Sequence, residues 1–295
     1  MKPLLDRLQA SEILVGDGAI GSMLIAHGLR PGQCPDLIAL EQPDVLAAIG
    51  RQYMEAGAEL LTTNTFGASP LKLANYGLEA KAEEISRKAV AILREVAEDR
   101  AYVTASCGPS GRILEPYGDI SEEEVYASFE RQMGALAEAD VICVETMFDP
   151  REATLAVRAA KAVLPHTPVM ATMTFDETPR GFFTIMGTNI ADAAACLLDA
   201  GADVVGSNCS NGLENMIKIA GDFRTATSSP ILIQSNAGQP ILDEEVVRYP
   251  EGPEFFADHI PDMIAAGASI IGGCCGTIPE HTRAVRKVVQ ATRQD

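Results

Sequence analysis

Three cysteines in this chain are spaced as if to share one task. The segment Gly272-Gly273-Cys274-Cys275-Gly276 closes the last apolar run, and Thr277, Pro279 and Glu280 follow at once. Upstream, Asn208-Cys209-Ser210 closes another apolar run. Thiolates are soft ligands that suit zinc, and three protein ligands leave one tetrahedral position for water or substrate. Adjacent residues of a strand point to opposite faces. Cys274 and Cys275 therefore reach one ion only where the strand has ended and the backbone turns, a turn that Gly272, Gly273 and Gly276 permit. Taken alone, the Cys274-Cys275 pair also allows a vicinal disulfide or plain packing, because a free cysteine behaves as a small hydrophobe. Cys34, Cys107, Cys143 and Cys196 read as packing residues, with Cys107 at a strand end. His27, His166, His259 and His281 fall in loops or helices and read as surface or capping residues.

A zinc ion on three thiolates carries a net charge of about -1, which makes it a poor Lewis acid for carbonyls. It still takes a substrate thiol and strips its proton, since coordinated thiols are deprotonated outright. The bound sulfur then stays nucleophilic at neutral pH, where a free thiol with a pKa of ~8.5 is mostly protonated. That is a chemistry for alkylating sulfur, and it needs no catalytic residue beyond the activated substrate thiolate.

Such a site needs two strand ends brought together. Eight short apolar runs recur along the chain: Ile13 to Asp17, Ala58 to Asn64, Ala101 to Cys107, Val141 to Met147, Pro168 to Phe175, Asp203 to Cys209, Pro230 to Asn236 and Ala268 to Cys274. Most are apolar throughout rather than alternating, as strands buried on both faces should be. Helical spacing fills the segments between them, as in Pro43 to Ala56, Lys81 to Glu98, Pro150 to Val163 and Pro279 to Thr292. Ala-Gly-Ala closes three helices, with Gly57, Gly201 and Gly267 where a left-handed stop is needed. Thr277 and Glu280 have capping-box spacing. Eight strand–helix pairs predict a (β/α)8 TIM-type barrel formed by residues 1–295 as one domain. A doubly wound open sheet is the alternative. Polar residues gather at the C-terminal strand ends: Asp17, Asn64, Glu145, Thr172, Asn208, Asn236 and Cys274. In a barrel this is the face that carries active sites.

The bulk properties exclude several function classes. With 47% hydrophobic residues among 295, the chain can bury a large core. A net charge of -18 repels nucleic acid and acidic membrane surfaces, so neither is an expected partner. No run approaches the roughly 18 to 20 apolar residues of a membrane span, and Met1 to Ala10 lacks a signal core. Seven cysteines, an odd number without a signal peptide, point to reduced thiols in a cytoplasm.

With these residues placed, the chain resembles the homocysteine S-methyltransferase family, which includes the homocysteine-binding module of cobalamin-dependent methionine synthase and betaine–homocysteine methyltransferase. The matching segments run in order: Asp17-Gly-Ala-Ile-Gly-Ser22, Thr63-Asn-Thr-Phe-Gly67, Gly108-Pro109, Glu145-Thr146, Met173-Thr-Phe-Asp176, Asn208-Cys209, Asn236-Ala-Gly238 and Gly272-Gly-Cys-Cys-Gly-Thr277. The resemblance implies a barrel with zinc on Cys209, Cys274 and Cys275, and the sulfur of L-homocysteine in the fourth position. It implies that Asn236 fills that position when substrate is absent. It further implies that Glu145 and the loop of Asp17, Gly18, Ala19, Gly21 and Ser22 hold the amino-acid end. The methyl donor is left open between a methylated corrinoid protein and a small methyl donor. A non-catalytic subunit that presents homocysteine to a corrinoid partner, or an enzyme with another thiol acceptor, remains as an alternative. Two departures stand near the site: Gln234-Ser235 before Asn236, and Cys107 in place of an aliphatic residue. The chain has no tryptophan and is 5% aromatic, which weakens a betaine-type donor held by cation–π contacts.

Overall fold

Apolar strands that must be covered on both faces close into a barrel. The computed structural model describes residues 1–243 and 246–293. Its barrel strands are β1 (Leu14–Val15), β2 (Leu60–Thr62), β3 (Tyr102–Cys107), β4 (Val141–Met147), β5 (Val169–Met173), β6 (Val204–Asn208), β7 (Ile231–Ser235) and β8 (Ile270–Gly273). They pair in parallel in the order β1-β8-β7-β6-β5-β4-β3-β2. A parallel bridge from Gly16 to Leu60 joins the first strand to the second and closes the ring. All eight expected strands are present, and a (β/α)8 barrel replaces the open-sheet alternative.

The helices follow the apolar spacing closely. Pro43–Ala56, Ala82–Ala97, Glu122–Ala135, Pro150–Val163, Ile190–Asp199, Leu213–Ala226, Pro253–Ala265 and Pro279–Thr292 pack around the barrel. Their apolar faces and the outward side chains of the strands form the main core. The three glycine stops adopt left-handed backbone, at φ 103° for Gly57, 107° for Gly201 and 100° for Gly267. The expected Thr277–Glu280 capping box is not formed. Thr277 is drawn inward, where its hydroxyl donates to the Cys274 carbonyl at 2.7 Å. His281 takes over the cap, with its Nδ1 accepting from the Ile278 N–H at 3.1 Å.

The end of the barrel away from the thiols is plugged. Leu4 and Leu8 of the helix Leu4–Gln9 pack against Leu14, Leu60, Tyr102, Val141, Met170, Val204, Leu232 and Ile270 inside the ring. Glu59 ties this end together. Its carboxylate meets Arg7 at 2.7 Å, Arg286 at 2.6 Å and Arg293 at 3.4 Å, so one acid joins both terminal helices to the start of β2.

The segments after the strands hold more structure than their composition shows. After β1 come the helices Ile20–Ala26 and Ile38–Glu41. An antiparallel hairpin of Asp176–Thr178 and Gly181–Phe183 follows β5, and another of Ile241–Asp243 and Val246–Arg248 follows β7.

Candidate active site

The three thiols meet at the barrel mouth. The sulfurs of Cys209, Cys274 and Cys275 all lie within 4.8 Å of one another, and Cys209 Sγ is 3.9 Å from Cys275 Sγ. A tetrahedral ion with metal–sulfur bonds of about 2.3 Å holds its sulfurs about 3.8 Å apart, so the cluster has the donor set and the spacing for a zinc-type ion. Without a cation the sulfurs compete for one negative charge. Hydrogen bonds from the Cys274 and Cys275 thiols pull Cys209 down to about 3. The same contact holds Cys275 up at about 11 and Cys274 well above the ordinary thiol range. A cation at the centre reverses that ordering, because bound thiols lose their protons.

The backbone that brings the sulfurs together differs from the sequence expectation. Of the three glycines flanking the cysteine pair, only Gly276 turns left-handed, at φ 81°. Gly272 and Gly273 supply room instead. A Cβ on Gly272 would meet the Asp17 carbonyl at 3.2 Å, and one on Gly273 would meet Thr277 Oγ1 at 2.3 Å. The other left-handed turn lies on the opposite arm, where Cys209 and Ser210 have φ of 61° and 60°. Such backbone costs roughly 1–3 kcal/mol per residue and persists only where its surroundings fix it. Here the Cys209 N–H donates to the Gln234 carbonyl at 3.1 Å and the Asn211 N–H to the Cys209 carbonyl at 2.7 Å.

Asn236 is buried at 4% exposure between the two cysteine-bearing loops, its N–H donating to the Asn211 carbonyl at 3.0 Å and the next N–H, of Ala237, to the Cys275 carbonyl at 2.9 Å. Its Oδ1 is buried without a partner. An unpartnered acceptor beside three thiols is what a cation site provides for, and it fits the role expected for Asn236.

A cavity of about 290 Å³ opens beside the sulfurs. Its wall includes Gly18, Ala19, Gly21, Ser22, Glu145 and the three cysteines, so most of the expected substrate residues share one space. The first turn of the helix Ile20–Ala26 leaves backbone N–H groups without intrahelical partners. Ser22 Oγ accepts from the Gly276 N–H at 3.1 Å, which ties this turn to the cysteine loop. Phe66, partly exposed, and Asp36, buried, also line it. Among the described residues, no lysine or arginine lines the cavity.

Two carboxylates form the floor, at different depths. Glu145 faces the cavity. One of its oxygens accepts from the Ser106 hydroxyl, and the other accepts from Asn208 Nδ2 at 3.1 Å. Burial pushes its carboxyl up to about 7, against the hydrogen bond from Ser106 and with help from the Asp17 charge. Asp17 lies one layer deeper and does not line the mouth cavity. Thr62 holds it twice, through its N–H at 2.6 Å and its hydroxyl at 2.7 Å. Burial raises Asp17 to about 7 as well. The two acids share a second, small cavity with Thr104 and Gln234, whose Oγ1 and Oε1 are buried without partners.

Asn208 links these parts, and the sequence showed only its position at a strand end. The side chain is fully buried. Its Oδ1 accepts from the Thr146 N–H and the Thr172 hydroxyl, each at 2.8 Å. Its Nδ2 faces Glu145, the Thr146 hydroxyl at 2.8 Å and, at 4.0 Å, the Cys274 sulfur. Ser106 and Tyr249 are further members that the sequence did not single out. Tyr249 lies in the loop after β7 with its ring against Gly276, next to Cys275. Cys107, flagged as a departure, points away from the mouth and donates to Gln132 Oε1 at 3.3 Å. Gln234, the other departure, does line the cavity.

A closed (β/α)8 barrel whose mouth gathers three thiols beside a half-buried carboxylate has the fold of many enzymes and the donor set for a soft ion. Comparison with known proteins makes the class specific. The chain belongs to the homocysteine S-methyltransferase family, whose model, described as Homocysteine S-methyltransferase, matches residues 14–289. It is 33% identical over 305 residues to a methionine synthase of Mycobacterium tuberculosis and 32% identical over 299 residues to one of Mycobacterium leprae. These alignments cover 97% and 95% of this chain but 25% and 24% of the relatives, so the chain spans about a quarter of their length. Among solved structures, the homocysteine methyltransferase MmuM from Escherichia coli in its metallated form matches with a TM-score of 0.79 at 25% identity, over 97% of this chain and 99% of that one.

Proposed function

We propose that this chain is a zinc-dependent methyltransferase that transfers a methyl group to the thiolate of L-homocysteine and so forms methionine. The observation that carries this reading is the cluster of three thiols within 4.8 Å beside a half-buried glutamate at the barrel mouth. Cys209, Cys274 and Cys275 hold the ion, which supplies a position where a substrate thiol gives up its proton at neutral pH. Glu145 pairs with the substrate ammonium, and Asn208 and Ser106 hold its carboxylate in place. Backbone N–H groups of the first turn at Gly21 and Ser22 receive the substrate carboxylate. Asp17 acts from beneath through Thr62, which also lines the cavity. Asn236 occupies the cluster when substrate is absent. Alignment of the sulfur with the donor carbon carries much of the rate, since displacement needs the two in line.

A methylated corrinoid protein is the donor that the mouth favours. Tyr117, Ile185, Leu242 and Val247 are more than half exposed, and all belong to the loops after β3, β5 and β7. These residues give the mouth an apolar rim suited to a large donor, and the methionine synthase relatives extend well beyond the matched region. A small methyl donor is the second reading. No described helix is long and apolar enough to cross a membrane, and all seven cysteines are free, as in a reducing cytoplasm.

Zinc K-edge spectra with and without homocysteine test the proposal. A change from three sulfur ligands to four on adding homocysteine is expected, and Cys209→Ala, Cys274→Ala or Cys275→Ala should abolish zinc binding and activity together. Full activity in a zinc-free cysteine variant would end the reading. Assays with a methyl-corrinoid protein and with small donors separate an enzyme from a presenting subunit.

A further inference from the structure

We infer that Thr65 is a positioning residue for Glu145, which it holds through Ser106 without lining the substrate cavity itself. The inference rests on the homocysteine reading above and concerns how the chain aims the carboxylate that meets the amino-acid end.

The ladder between β2 and β3 changes character where it reaches the mouth. Its last paired residues are Thr62 and Thr104. The Tyr102 N–H donates to the Glu59 carbonyl at 2.8 Å, and the Thr63 N–H donates to the Thr104 carbonyl at 2.9 Å. In that register the next bonds of a parallel pair would join Ser106 to the Thr63 carbonyl and the Thr65 N–H. Those two backbone groups bond to each other instead, at 2.9 Å, so the chain turns away from β3. Two side-chain hydroxyls take over both places. The Ser106 N–H donates to Thr63 Oγ1 at 3.1 Å, and the Thr65 hydroxyl donates to the Ser106 carbonyl at 2.7 Å. Thr63 Oγ1 and Thr65 Oγ1 lie 2.6 Å apart. The single hydroxyl proton of Thr65 is committed to Ser106, so Thr63 is the donor between them.

The turn so made carries Thr63, Asn64, Phe66 and Gly67 into the cavity wall, while Thr65 stays fully buried behind it. Gln132, also fully buried, reaches in from the helix Glu122–Ala135 and donates to the Thr65 carbonyl at 2.9 Å. Its Oε1 accepts from the Cys107 thiol at 3.3 Å. Cys107 thus has a polar task, since an aliphatic side chain there would take this donor from a buried acceptor. Ser106 is held at its N–H and at its carbonyl, and its hydroxyl donates to Glu145. A carboxylate aimed by a fixed hydroxyl presents its charge in one place, which is what holding a substrate in line requires.

The test is a double-mutant cycle between Thr65→Val and Ser106→Ala in the full zinc-loaded chain, read by titration calorimetry with methionine. Thr65→Val keeps the side-chain shape and loses the hydroxyl. It should weaken methionine binding by about 5- to 10-fold, as for one lost hydrogen bond, with zinc affinity by chelator competition unchanged. Thr65→Ser, which keeps the hydroxyl, should restore the affinity. The double variant should bind as weakly as Ser106→Ala alone, because members of one hydrogen-bond network are not additive. Gln132→Met releases the turn from behind and should weaken methionine in the same way, again with no further loss in the Ser106→Ala background; it carries the cycle if circular dichroism shows Thr65→Val unfolded. Losses that multiply in the double variant, or a folded Thr65→Val protein with wild-type affinity, would overturn the inference while leaving the homocysteine reading intact. A wild-type protein that binds neither methionine nor homocysteine would overturn both.

Discussion

Replacing Asn208 by alanine should damage stability and substrate binding in one step, because a single amide serves both. The fully buried side chain accepts from the Thr146 N–H and the Thr172 hydroxyl and donates to Glu145 and the Thr146 hydroxyl. Alanine leaves the N–H of half-buried Thr146 without its partner, at a cost of about 1–3 kcal/mol. Thr146 also has left-handed backbone, at φ 60°, and loses the bond that holds it there. With the small void added, the total comes to about 3–5 kcal/mol. At roughly 2 °C per kcal/mol for a chain of this size, the melting temperature should fall by about 6–10 °C. Glu145 keeps Ser106 but loses its second partner, so homocysteine should bind about 10-fold more weakly, the equivalent of one hydrogen bond to a charged group. Differential scanning calorimetry and titration calorimetry on the zinc-loaded protein measure the two effects. A variant with an unchanged melting temperature and unchanged homocysteine affinity would refute the idea that Asn208 joins the carboxylate to the strand ends.

Two other perturbations have defined signs. Burial raises Glu145 to about 7, so this group contributes stability that is fully present below its unfolded value near 4.5 and is lost as pH rises through 7. Binding of an amino-acid ammonium runs the other way, because it needs the ionised carboxylate. Methionine, which has no thiol proton to complicate the titration, should bind more tightly as pH rises through about 7, and Glu145→Gln should flatten the profile; a pH-independent wild-type affinity would contradict this. At the other end of the barrel, Glu59→Gln removes the acid shared by Arg7, Arg286 and Arg293 and should cost about 2–4 kcal/mol in urea unfolding while leaving homocysteine affinity unchanged.

The strands and helices were legible because their signals are physical and local. A strand buried on both faces reads as an unbroken apolar run, as in Val141–Met147, and a helix such as Pro43–Ala56 shows its apolar stripe, its leading proline and its closing glycine. The thiols were legible because cysteine is rare and two strand ends carried it. Partnership was harder to read. Asn208 and Thr277 each show a type and a place, but what they bind depends on residues from other strands, and Thr277 turned inward where its spacing predicted a cap. Gly272 and Gly273 were assigned a turn and instead make room for Asp17, Gln234 and Thr277. Tyr249 carried no signal, since a tyrosine in a long polar loop is ordinary until the loop folds over Gly276. The hairpins after β5 and β7 are three-residue strands, too short for an alternating pattern to stand out.

The knot of charge at Glu59 has a topological consequence. Arg7 belongs to the first helix, and Arg293 caps the last one, so the carboxylate gathers both ends of the described chain on the side of the barrel opposite the sulfurs. The mouth is therefore made only of segments with chain on either side of them. An affinity tag or a further domain joined at either end begins its path behind the barrel and must travel around its flank to reach the thiols.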